Sequence, residues 1–311
     1  MDTTAACIEC VDDNLIRARL FHIAKDPIPC RTLVYTLPGH QKCTLHEADD
    51  FIAQSLEAWG YTVLREPVQV QAYRRNWDVE GHATYASPQP SDPWYTAYNV
   101  YGMVQGSTCP KELIVVISHK DSQSWMVNTA GAYDNGIGTV ANLEIARVLQ
   151  GYTPKRTLWF VFCNEEHTPW TSAVTAQRVK DEGYTLVAAL NVDSLGGRSA
   201  EDRRAGIRTN ATRFVTDGGE RIADLMARLN EELGIGLRQT KHRGEFPNDD
   251  DGSFIKAGMP AAVAMVGSFP YAEPNYHLAW DVAELVDIEN ARMATQLALA
   301  TLLHLDENGP V

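Results

Sequence analysis

Three stretches of this chain, residues 113–118, 157–163 and 185–191, are almost unbroken apolar runs. Each is strand length and too short to cross a membrane. A strand with one wet face alternates apolar and polar residues, so an unbroken run needs cover on both faces. Helical patterns at 140–149 and 172–181 separate the three runs. Strand alternating with helix builds an α/β fold: a three-layer sandwich, with a mostly parallel central sheet and helices on both faces.

The remaining segments extend this plan. Residues 61–69 and 98–104 read as strands on either side of a Pro- and Ser-rich loop at 86–94, and 260–266 reads as another buried strand. Helices are expected at 219–233 and 288–305. Thr44-Leu-His-Glu47 has the form of a capping box. It opens a helix that buries Phe51, Ile52, Leu56 and Trp59 and ends near Gly60. No internal repeat is visible. The expectation is one catalytic domain over 1–311, with a candidate insertion at 196–210 lying over one end of the sheet.

Charge narrows the partners. The 311 residues include 40 acidic against 27 basic side chains, a formal net charge of -13. Such a surface repels nucleic acid and anionic membranes. Residues 1–14 show neither the basic start nor the apolar stretch of a secretory signal, so a cytoplasmic enzyme with reduced cysteines is expected. Cys7 and Cys10 form a lone CxxC. Cys30 and Cys43 do not supply the second pair that a structural zinc site requires.

The chemistry follows the strands. Ser118 is followed by His119, Lys120 and Asp121; Cys163 by Asn164, Glu165 and Glu166; Leu190 by Asn191, Val192 and Asp193. Ligands of open α/β sheets bind outside the carboxyl ends of the strands, so these groups should meet in space. Asp134 lies in a glycine-bounded turn before the next helix, and His277 follows the last strand. Carboxylates crowded together repel one another unless a positive charge sits among them. Oxygen and imidazole donors without thiolate suit a catalytic zinc site. Asp121 is two residues from His119, on the same side of an extended chain. It can therefore orient the imidazole from behind. A single surface acid is usually just a solvated charge, and His167 reads as a neighbour of Glu166 rather than a ligand. The weight rests on ligand types recurring after successive buried strands.

His119-x-Asp121, Gly131-Ala-x-Asp134-Asn135 with Gly138 and Leu143-Glu-x-Ala-Arg147, Glu165-Glu166, Asn191-x-Asp193 and Tyr276-His277-x-x-x-Asp281 resemble metallopeptidase family 28. That family holds double-zinc aminopeptidases, glutamate carboxypeptidases and, as close relatives, glutaminyl cyclases. The resemblance runs from about residue 30 to the C-terminus. It implies a zinc-peptidase-like fold and a zinc-dependent aminopeptidase that removes an N-terminal residue from a peptide or small amino-acyl compound. His119 and Asp193 would hold one zinc, Glu166 and His277 the other, and Asp134 would bridge the two. Glu165 would be the general base, Asp121 the partner of His119, and Tyr276 a hydrogen-bond donor to the tetrahedral intermediate. The peptide bond after Asp134 would be cis, as in relatives.

The chain departs from the family's pattern around the substrate. Glu165-Glu-His-Thr-Pro-Trp-Thr-Ser172 replaces Glu-Glu-x-Gly-Leu-x-Gly-Ser, and Asn191-Val-Asp-Ser194 replaces Asn-x-Asp-Met. Asp249-Asp-Asp-Gly-Ser-Phe254 replaces Ser-Asp-His-x-x-Phe, and Tyr133 stands where many relatives have a small or acidic residue. The acidic run is expected to be a solvated loop, with recognition of a substrate ammonium as the alternative. Trp125, Trp170, Phe269 and Tyr271 are available for an apolar pocket but carry no assignment. Two other readings stand beside the aminopeptidase: a glutaminyl-cyclase-like aminoacyltransferase working with one zinc, and a non-catalytic binding member.

Overall fold

Side chains of a β-strand point alternately to opposite faces, and here that alternation divides one sheet between two cores. Ile114, Val116, Leu158, Phe160, Phe162 and Leu190 pack on one face, while Leu113, Val115, Ile117, Trp159 and Val161 pack on the other. This arrangement is seen in a computed structural model that describes residues 3–76, 78, 85–122, 129–269 and 271–311.

The strands are β1 (Thr62–Ala72), β2 (Arg74–Arg75), β3 (Tyr85–Ala86), β4 (Tyr95–Val104), β5 (Cys109–His119), β6 (Arg156–Cys163), β7 (His167–Thr168), β8 (Thr185–Val192), β9 (Thr209–Phe214), β10 (Arg238–Arg243) and β11 (Ala262–Val266). The helices are α1 (Thr3–Glu9), α2 (Asp13–Ala24), α3 (Thr44–Ala58), α4 (Ile137–Val148), α5 (Ser172–Asp181), α6 (Ala200–Ala205), α7 (Asp217–Glu232), α8 (Asp249–Lys256) and α9 (Ile288–Asn308). The main sheet runs β10-β9-β11-β8-β5-β6-β4-β1-β7. Its four central strands, β11, β8, β5 and β6, are mutually parallel. The flanks are antiparallel where β4 meets β6, β1 meets β4, and β9 meets β11. Helices α2, α4, α7 and α9 cover the first face, and α5 and α8 the second. Among the described residues no helix is long and apolar enough to cross a membrane.

Two expectations need correction, the capping box and the solvated acidic loop. Helix α3 starts at Thr44, so the cap residue is Cys43, which makes no side-chain capping bond. The Thr44 hydroxyl instead accepts the N–H of Thr32 at 3.1 Å, and Glu47 pairs with His40 at 2.7 Å. A tertiary contact has claimed the group that a capping box would use. The stretch 196–210 contains α6 and then enters the sheet, because Thr209 and Asn210 open β9. Residues 249–251 are not a solvated loop. They form the first turn of α8 and are 5%, 0% and 1% exposed.

Candidate active site

Strands β5, β6 and β8 run in the same direction, so their carboxyl ends place His119, the Glu165-Glu166 pair and Asp193 along one edge of the sheet. There they line a cleft of about 260 Å³, joined by Asp134, Tyr276 and His277. Asp134 sits in a wide turn, Ala132–Gly136, between β5 and α4. One of its carboxylate oxygens, Oδ1, lies 3.0 Å from His119 Nε2, and the other, Oδ2, lies 2.5 Å from His277 Nε2. Asp193 Oδ1 is 3.8 Å from His119 Nε2. Donor atoms of His119, Asp134 and Glu166 all lie within 4.8 Å of one another.

The turn bearing Asp134 is tied to its surroundings at both ends. The peptide bond between Asp134 and Asn135 is cis, as the resemblance implied. Asn135 donates to the carbonyl of Val192 at 3.0 Å and accepts the N–H groups of Gly138 at 2.9 Å and Ser194 at 3.1 Å. The turn is therefore fastened to the end of β8, beside Asp193. Position 138 has no room for a side chain, since a Cβ there would fall 2.2 Å from both Asn135 Oδ1 and the Val192 carbonyl.

Asp121 lies fully buried behind the cleft. It accepts from His119 Nδ1 at 3.3 Å, as its spacing suggested. It also accepts the backbone N–H groups of Glu165 at 3.0 Å and Glu166 at 2.9 Å, and Nδ1 of His167 at 2.8 Å. Those three bonds were not legible beforehand, because they depend on how the end of β6 folds against the end of β5. His167 also opens β7, which pairs with Gln71 and Ala72 of β1.

The walls contain residues that sequence reasoning left unassigned or missed. Trp170 and Tyr271 do line the cleft, together with Tyr73, Asn248 and Asp249. Trp170 Nε1 donates to the Tyr73 hydroxyl at 3.1 Å. Phe269 is exposed, its ring tilted by 35° against that of His242 at 4.6 Å; Trp125 falls outside the described residues. The Tyr276 ring stacks on His277 at 3.7 Å and on Tyr271 at 4.7 Å. Tyr133 meets Tyr276 edge-on at 6.1 Å. Its phenol lies against Gly197, where an added Cβ would come 2.0 Å from the hydroxyl oxygen. Nothing in the local sequence marks Tyr73 or Gly197, because both partners arrive from distant segments.

The charges show what this cleft requires. Burial first, then the nearby Asp250 and Asp249, hold the Glu165 carboxyl well above its ordinary range. Burial, together with Asp134 and Asp249 and against the pull of His119, pushes Asp193 up to about 8. Buried carboxylates in this state lack positive charge, and a cation among them would restore their ionised forms. The donors are carboxylate oxygens and imidazole nitrogens, the set expected of catalytic zinc. The residues present fit that metal.

Known proteins agree with this architecture. A family model described as peptidase family M28 matches residues 99–302. A Saccharomyces cerevisiae protein named as a probable aminopeptidase is 25% identical over 221 residues, which is 67% of this chain and 57% of that protein. The chain spans about half the length of the curated relatives it matches. In fold it is similar to an aminopeptidase from Aneurinibacillus sp. strain AM-1, with a TM-score of 0.76 at 14% identity, covering 98% of this chain and 96% of that one. It is also similar to a Bacteroides thetaiotaomicron glutaminyl cyclase bound to N-acetylhistamine, with a TM-score of 0.70 at 16% identity, covering 94% and 97%. Both of these are likenesses of fold. Since the matched segment spans most of the chain and contains His119, Asp134, Glu165, Glu166, Asp193 and His277, the chain belongs to peptidase family M28.

Proposed function

We propose that this protein is a zinc-dependent aminopeptidase with a two-metal site. The observation that carries the reading is the position of Asp134, which turns one oxygen toward His119 and the other toward His277. A carboxylate set between two imidazoles is suited to serve two ions at once. His119 and Asp193 would hold one zinc, Glu166 and His277 the other, and Asp134 both. Bound zinc supplies Lewis acidity, polarising a scissile carbonyl and lowering the pKa of a water toward neutrality.

The chain's own residues supply the rest. Glu165 lines the cleft beside Glu166 without entering the ligand set, so its carboxylate is placed to take a proton from water and pass it to the leaving amine. Tyr276 presents a phenol in the same cleft that can donate to the oxyanion formed at the carbonyl. Asp121 keeps the His119 ring in place through Nδ1, leaving Nε2 toward the cleft. Asp121 grips the backbone N–H groups of both glutamates and so fixes where each side chain departs.

The test is incubation with free-amine amino-acyl anilides and, separately, with peptides beginning with glutamine. Release of the first amino acid supports the proposal. Ring closure to pyroglutamate with no anilide cleavage would assign the protein to cyclase chemistry instead. No turnover of either, in zinc-loaded protein, would favour a binding role.

A further inference from the structure

Arg31 and Asp281 are both buried, 0% and 1% exposed, and both bond to the backbone of residues 130–134. Each directs its hydrogen bonds to the backbone that runs between them. Arg31 Nη1 donates to the carbonyl of Ala130 at 2.6 Å, and Nη2 to that of Gly131 at 2.6 Å. Asp281 accepts the N–H of Tyr133 at 2.5 Å and of Asp134 at 3.1 Å, and its own carbonyl accepts that of Ala132 at 3.4 Å. Every residue from 130 to 134 thus offers a backbone group to one of the two. The guanidinium reaches further, donating from Nε to the carbonyl of Lys120 at 2.6 Å and from Nη1 to that of Ile23 at 2.9 Å. Lys120 lies between His119 and Asp121. The main chain of Arg31 also exchanges bonds with Ser122, through its N–H to the Ser122 hydroxyl at 2.8 Å and its carbonyl from the Ser122 N–H at 3.0 Å.

Burying a guanidinium and a carboxylate is costly unless their hydrogen bonds are met, and such groups add little stability over apolar replacements. What they provide here is a fixed geometry. Gly131 belongs to it, since its φ of +56° is a left-handed conformation and a Cβ there would lie 3.2 Å from Arg31 Nη2.

We infer that Arg31 and Asp281 form a split clamp that sets the direction of the Asp134 carboxylate, and its distance from His119, before metal binds. Both are positioning residues and touch neither substrate nor metal. Arg31 holds the segments of His119 and Asp134 to one another, and Asp281 aims the turn from the opposite side. This inference rests on the reading of Asp134 as a metal ligand.

The experiment compares Arg31→Met, Asp281→Asn, their double variant and Asp134→Asn. Zinc affinity is measured by competition with a chromogenic chelator, and kcat and KM on an amino-acyl anilide. Zinc affinity and kcat should each fall about 10–100-fold in the single clamp variants, the usual cost of losing a group that orients a metal ligand, with KM unchanged. Because both act through one turn, the double variant should lose less than the product of the single losses. Arg31→Ala should recover zinc affinity with millimolar guanidinium and not with equal urea, a rescue that a general packing defect would not show. If Arg31→Met does not fold, Arg31→Lys and Asp281→Asn are measured in the same way. Wild-type zinc affinity in folded clamp variants, with metal lost in Asp134→Asn, would overturn the clamp and leave the metal site standing. Full zinc affinity in Asp134→Asn would overturn both.

Discussion

Glu166 donates its backbone N–H to Asp121 Oδ2 at 2.9 Å, so the carboxylate that follows β5 sets the path of the chain leaving β6. The same carboxylate takes the N–H of Glu165 and the ring nitrogens of His119 and His167. Four donors meet one ionised acid, and charge-assisted bonds of this kind are stronger than neutral ones. An asparagine in its place keeps the shape and offers one acceptor oxygen. Asp121→Asn should therefore lower zinc affinity and kcat by roughly 10–100-fold while the protein stays folded. Chelator competition and steady-state kinetics read the effect, and wild-type values for both would show that the four bonds are dispensable.

The neighbouring glutamates separate by what each one loses. Glu165→Gln should keep its metal and lose rate by roughly 10²–10⁴-fold, the usual worth of a general base. Glu166→Gln should instead release zinc more readily. Metal content by atomic emission beside kcat distinguishes the two, and an inverted result would exchange the roles assigned to them.

Metal removal should be felt in stability as well as rate. A ligand at about 1,000 times its Kd stabilises the folded state by about 4 kcal/mol. Zinc-loaded protein should melt well above chelator-treated protein, and activity should return when close to two equivalents are restored. Full activity after exhaustive chelation would remove the basis for a zinc enzyme.

Packing between Asn135 and β8 leaves no space at Gly138. Gly138→Ala would press a methyl group into the Val192 carbonyl and the Asn135 side chain, and overpacking of this kind costs roughly 1–3 kcal/mol. The expected outcome is a lower Tm together with weaker zinc binding, because the turn that moves carries Asp134. A variant with unaltered melting and metal affinity would show that the turn can shift freely.

Much of the centre was legible because parallel strands covered on both faces leave a continuous apolar signature, as in Thr157, Leu158, Trp159, Phe160, Val161, Phe162 and Cys163 of β6. His119, Glu165, Glu166 and Asp193 stood out because each closes or follows such a run. The edges could not. Strand β10, Arg-Gln-Thr-Lys-His-Arg, is polar throughout, since its side chains face solvent and pair with acids such as Asp224 and Asp217. The acidic run at 249–251 looked solvated because its cover is supplied at a distance. Arg213 of β9 meets Asp249 at 3.0 Å, and Cys163 donates to Asp250 at 3.0 Å. The reach of Arg31 across four carbonyls was likewise invisible, since backbone acceptors leave no trace in residue identity.

The contact of the Tyr133 phenol with Gly197 bears on how this cleft could change over evolutionary time. With tyrosine at 133, even alanine at 197 would place its methyl carbon 2.0 Å from the hydroxyl, so the glycine is an obligatory companion of the ring. A lineage that shrank residue 133 would release position 197 to accept a side chain. One that enlarged position 197 first would pass through an ill-packed intermediate beside Asp134. The order of substitution is therefore constrained, and homologues should carry the two sites as a matched pair: aromatic with glycine, or small with anything.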